Sequence, residues 1–118
     1  MDKKANSKRY DLEERTLLFA KQVRGFVKTL SRGISNTEDA KQLVRASGSV
    51  GANYIEANES LSKKDFLMRI KICRKEAKES RYWLNLVEAG SFASQKDMLG
   101  QEATELMNIF GAILRRSE

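Results

Sequence analysis

Histidine is missing from all 118 residues, proline is missing too, and there is a single cysteine. Without His there can be no Ser-His-Asp or Cys-His nucleophile pair, no histidine general base, and few of the usual zinc sites. Carboxylate-only metal sites are still allowed, but the Glu-x-x-His pairs of di-iron bundles cannot be built. Without Pro, and with few clusters of turn residues, the chain suits long uninterrupted helices better than a many-stranded sheet. The lone Cys73 forbids an internal disulfide and fits a reducing cytoplasm. No run approaches the roughly 18 consecutive apolar residues of a membrane span. Met1 to Arg9 is polar and basic with no apolar run behind it, unlike a secretory leader. These absences together point to a non-enzymatic, cytoplasmic protein with no cofactor, no metal and no membrane.

The residues present describe one ordinary domain. Hydrophobic residues make up 41% and charged residues 32%, a globular rather than a disordered balance. Lys and Arg number 22 against 16 Asp and Glu, a net charge of +6 that bears on partners and solubility rather than on fold. Four segments each carry an apolar seam spaced by alternating threes and fours, the pattern of helices packed side by side. The first seam is Leu12, Thr16, Phe19, Val23, Phe26 and Leu30, with Asp11 as N-cap and Gly33 closing the helix in the left-handed conformation. The second is Ala40, Leu43, Ser47, Val50, Tyr54 and Ala57, started by Asn36 or Thr37. The third is Phe66, Ile70, Cys73, Ala77, Ser80, Leu84 and Val87, capped by Ser62 with Asp65 and stopped by Gly90. The fourth begins at Ser94 and runs through Leu99, Ala103, Leu106, Phe110 and Ile113.

Connections near 31–36, 58–62 and 90–94 are short, and short loops make consecutive helices antiparallel. The expected fold is therefore all-α, an antiparallel up-down-up-down four-helix bundle over residues 10–118, preceded by a flexible basic tail over 1–9. Gly48 and Gly51 fall inside the second helix, where each costs roughly 1 kcal/mol relative to Ala. A close helix–helix approach would compensate; tolerated sequence drift is the alternative.

The third helix carries two further stripes beside its seam. One position after the seam run Leu67, Lys71, Arg74, Lys78 and Arg81. From Lys63 to Arg81 there are eight basic residues against three acidic ones, an excess of five that is most of the net charge. Lys71, Arg74, Lys78 and Arg81 are the candidate nucleic-acid-binding residues, since cations about 5–6 Å apart can track phosphates and release counterions. The alternative is a solvated face paired weakly with nearby Glu. The other stripe holds Ile72, Glu76, Glu79, Trp83 and Leu86. Ile72, Trp83 and Leu86 lie too far round for a thin core to cover all three, so they are the candidate surface for self-association, joined by Asn53 and Glu56 on the second helix. The alternative is a Trp83 that merely widens the core.

The run Gln42-Leu43-Val44-Arg45-Ala46, followed by Ser49, Asn53 and Glu56, resembles the helix 2 signature of the bacterial four helix bundle protein family, which includes proteins encoded in intervening sequences of 23S ribosomal RNA genes. Phe66, the stretch Glu76 to Leu84 and the opening Tyr10-Asp11-Leu12-Glu13 extend the likeness over essentially the whole chain. Many members have a Pro and a second Gly near this motif, where this chain has Gly51 and Ala57-Asn58. The resemblance implies an antiparallel four-helix bundle, a ring-like homopentamer, and kinship with the accessory variability proteins of diversity-generating retroelements. Those are basic pentameric barrels that bind nucleic acid and a reverse transcriptase. The expected partners are therefore a second copy of the chain, RNA or DNA, and a nucleic-acid-processing protein. A protein–protein interaction scaffold with no nucleic-acid role is the competing expectation.

Overall fold

The computed structural model describes the backbone of residues 3–117 and the side chains of 12–117. Four helices follow one another: α1 (Lys3–Val27), α2 (Ile34–Asn58), α3 (Lys63–Leu86) and α4 (Ala93–Arg116), with a single 3-10 turn at Gly90–Phe92 leading into α4. Each packs on its sequence neighbours, and α1 closes the ring against α4 through the thinnest of the four contacts. Side-chain pairs fix the directions. Asn58 near the end of α2 donates to Glu13 early in α1 at 2.7 Å, and Arg69 early in α3 donates to Asn53 late in α2 at 3.0 Å. Neighbouring helices therefore run antiparallel, and the chain is an all-α four-helix bundle. Among the described residues no helix is long and apolar enough to cross a membrane.

The seams expected from the sequence form the core. Phe19, Val23, Leu43, Val50, Ile70, Cys73, Leu84, Leu106 and Phe110 are all fully buried, and the rings of Tyr54 and Phe110 meet at 5.9 Å. Ala40, Leu30, Phe66 and Ile113 reach it only partly. Polar seam residues find backbone acceptors, Thr16 and Ser80 within their own helix and Cys73 on its neighbour. Thr16 donates to Leu12 O and Glu13 O, Ser80 to Glu76 O, and the Cys73 thiol to Val50 O.

Helix ends differ more from the sequence reading. Passing straight through Asp11, α1 has no cap there, and the side chains of the proposed 1–9 tail lie outside the described residues. The chain leaves α1 at Val27, so the first connection spans 28–33 rather than 31–36. Gly33 has φ 172°, an extended conformation open to any residue, and does not close the helix in the left-handed region. Asn36 is not an N-cap, because α2 already begins at Ile34. Its buried amide instead donates to Ser31 O and Glu88 O, both at 3.1 Å, and accepts from Glu88 N at 2.9 Å. One side chain thereby ties the first connection to the third. Ser62 does cap α3, accepting from Asp65 N at 3.1 Å. However, α3 ends at Leu86, before Gly90, and Lys96 reaches back from α4 to the carbonyls of Asn85 and Val87. Gly90, at φ +56°, opens the 3-10 turn instead. That turn delivers the chain to Ala93, so Ser94 makes no cap.

At Gly51 the backbone of α2 lies close against Thr16 of α1. A Cβ there would stand 2.9 Å from Thr16 Oγ1 and 3.2 Å from Thr16 Cβ. At Gly48 the only neighbour is the flexible guanidinium of Arg24, 3.3 Å away at its nearest nitrogen. The close approach is thus a property of one glycine, not of both.

Candidate nucleic-acid interface

The side of α3 that turns towards α4 carries the basic stripe. Lys71, Arg74 and Lys78 are exposed, while Arg81 is half-buried and leans on Thr104 Oγ1 of α4 at 3.4 Å. Beneath them the two helices leave a groove of about 490 Å³ lined by Leu67, Lys71, Arg74, Lys75, Lys78, Gly111, Leu114 and Arg115. Five of those eight residues are cations and none is a carboxylate. Arg115 enters from α4 and is not part of the α3 pattern at all. Among the described residues, Lys71, Arg74, Lys78 and Arg115 make no ion pair.

The acidic residues of α3 that could have quenched this stripe are committed elsewhere. Glu76 and Glu79 turn to the opposite flank, where Arg45 of α2 donates to Glu76 Oε2 at 3.4 Å and to Glu79 Oε2 at 3.1 Å. Glu76 is only 8% exposed, and its other oxygen has no hydrogen-bond partner. Burial pushes its carboxyl above the usual range, and the hydrogen-bonded Glu79 adds to this while Arg45 opposes it. Glu79 moves the other way, held down first by its hydrogen bond with Glu76 and then by Arg45. The two carboxyls thus lie together under one guanidinium, one shifted up and the other down.

The signs of these shifts make a test possible. A carboxyl raised on folding favours the folded state at low pH, and that contribution is lost as pH climbs through its folded value. Glu79, lowered on folding, loses its contribution as pH falls. Glu76→Gln keeps an acceptor for Arg45 and gains a donor for Glu79. It is expected to remove the decline in melting temperature as pH climbs above the usual carboxylate range and to be more stable than wild type at pH 8, by about 1 kcal/mol. Thermal melts across pH would check this, and a variant less stable than wild type at pH 8 would mean that the ionised Glu76 is held favourably by Arg45.

The residues proposed for self-association lie along this same flank, though not all are free. Asn53 is engaged within the chain, donating to Ser49 and accepting from Arg69. Ile72 and Trp83 are half-buried, and Trp83 packs on the edge of the core with Tyr82 edge-on at 5.1 Å. Trp83 thus does widen the core, yet its buried Nε1 has no acceptor among the described residues. Leu86 and Tyr82 are exposed beside it, Met68 is exposed one turn before Ile72, and Glu56 is exposed on α2. Among the described residues no group of three or more His, Cys, Asp or Glu converges to hold a metal ion.

A family model described as 23S rRNA-intervening sequence protein matches residues 8–112. This chain belongs to that family. A crystal structure of a protein of unknown function from the S23 ribosomal protein family of Bacteroides thetaiotaomicron is similar to this intervening sequence protein at a TM-score of 0.75 and 28% identity, covering 87% of this chain and 97% of the other. No curated protein matches. The family match reaches into all four helices of the chain and includes Arg45, Ser49, Asn53 and Glu56 on α2. Two of those, Arg45 and Asn53, are the α2 ends of the polar ties to α3. Sequence reasoning picked out the motif but not its partners. Nothing in the spacing within α2 says which residues of α3 stand opposite.

Proposed function

We propose that this protein is a non-enzymatic, self-associating scaffold that binds RNA or DNA largely independently of sequence, through the basic stripe of α3. The observation that carries the reading is the separation of charge on α3. Four of its cations, Lys71, Arg74, Lys75 and Lys78, line one groove with no carboxylate among the described residues, while Glu76 and Glu79 face Arg45 on the other flank. Solvated surface charge serving only solubility would be expected to intermix with acids. Lys and Arg presented without partners favour a polyanion, which they bind through counterion release. The sequence carries no helix-turn-helix spacing or base-reading motif, so contacts to phosphate would dominate.

Self-association is supported by the apolar strip of Ile72, Trp83 and Leu86 with exposed Tyr82 and Met68 beside it, aromatic residues being favoured anchors between subunits. The pentamer implied by the family resemblance would repeat the groove around a ring and raise its avidity. The test is a titration of purified protein into fluorescent structured RNA and duplex DNA at several salt concentrations. Binding that weakens steeply with salt supports the reading. No binding at low salt overturns it and leaves a protein-interaction scaffold.

A further inference from the structure

Gly111 marks the floor of the α3/α4 groove. It lies in the interior of α4, where a glycine costs helix stability without an evident turn to make. A Cβ on it would sit 3.4 Å from Arg115 Nη1 and 4.0 Å from Arg74 Nε. Two guanidinium groups from different helices therefore converge on one patch of bare backbone. Among the described residues no carboxylate lines the groove that holds them, and Lys71 and Lys78 flank it along α3. Like charges brought to one point repel unless something of opposite sign lies between them. The planar forks of two arginines match the oxygens of a tetrahedral phosphate, each able to donate two parallel hydrogen bonds.

We infer that the notch over Gly111 is a phosphate-binding site, in which Arg74 and Arg115 clasp one phosphate group from opposite helices. This deepens the nucleic-acid reading above, which would make that group a backbone phosphodiester; a free phosphate has the same chemistry. It adds Arg115 and Gly111 on α4 to the interface. It also fixes the path of a bound strand, along the α3/α4 groove rather than across the outer face of α3.

The experiment uses the full chain, with Arg74→Gln and Arg115→Gln as the variants and Arg116→Gln as the control. Arg116 hydrogen-bonds the backbone of its own helix outside the groove. Two readouts are taken: affinity for a fluorescent oligonucleotide, and the shift of the Gly111 amide signal on adding inorganic phosphate against chloride at equal ionic strength. Melting temperatures check that the variants fold. The expected result is a loss of about tenfold or more in oligonucleotide affinity for each groove variant, none for Arg116→Gln, and a Gly111 shift that both groove variants abolish. A phosphate-dependent Gly111 shift without oligonucleotide binding would uphold the site with free phosphate as its ligand, while the nucleic-acid reading falls. Oligonucleotide binding unchanged in both variants, with Gly111 silent to phosphate, would overturn the inference and leave that reading standing on Lys71 and Lys78.

Discussion

Replacing Lys71, Arg74, Lys78 and Arg81 together by Glu is expected to lower affinity for duplex DNA at low salt by at least roughly a hundredfold. The magnitude follows from the charge these residues present. Four phosphate contacts give a slope of about −3.6 for log affinity against log salt, so wild type should lose roughly 150-fold between about 50 and 200 mM salt. Reversal removes those contacts and adds repulsion, so the variant should show both weak binding and a flattened slope. The four are not equal. Arg81 is half-buried and held against Thr104, so its single reversal should cost least in binding. None of the four belongs to the core, so the variant should melt and sediment like wild type. Filter binding or fluorescence anisotropy across salt provides the measurement. A folded variant that binds as wild type does would remove the stripe from the interface.

The largest stability effect is expected at Gly51. Gly51→Ala should destabilise the bundle by about 1–2 kcal/mol, because overpacking of about 1–3 kcal/mol outweighs a gain in helix propensity of at most about 1 kcal/mol. Thr16 cannot step aside. It is buried, β-branched, and holds the carbonyls of Leu12 and Glu13 with its hydroxyl at 2.9 and 3.0 Å. Gly51→Leu forces α1 and α2 apart and should cost about 3 kcal/mol or more, a large share of what a domain of this size has to lose. Gly48→Ala should have the opposite sign, a gain of up to about 1 kcal/mol, since only the mobile end of Arg24 need move. Urea midpoints of the three variants decide the matter. Equal stabilisation by Ala at both positions would mean that the two helices are not in tight contact.

That contrast illustrates what the sequence could and could not convey. Seams such as Phe19–Val23–Phe26 and Ile70–Cys73–Ala77 were legible because burial imposes a period that any window of the helix repeats. The charge of the stripe was legible for the same reason. Helix ends were not, because Gly33, Asn36, Gly90 and Ser94 are residue types with several uses. Asn36 looks like a cap by type, but its partner Glu88 lies 52 residues away. Likewise the Gly48–Gly51 pair announces a close approach without saying which glycine touches Thr16. Arg115 and Gly111 complete the groove, and Arg45 claims Glu76 and Glu79, only once the register between helices is set. No single-helix pattern carries that register.

Cys73 has a practical consequence. Its sulfur is fully buried, hydrogen-bonded to Val50 O across the α2–α3 contact, and burial pushes its thiol up to about 12. A disulfide reagent in the solvent therefore finds nothing to attack until those two helices separate. Since the chain has no second cysteine, the labelling rate under native conditions reports the opening of the α2–α3 pair alone. The protein carries its own timer, readable without a mutation. A ligand that grips α3 should slow it, and by an amount that measures the grip.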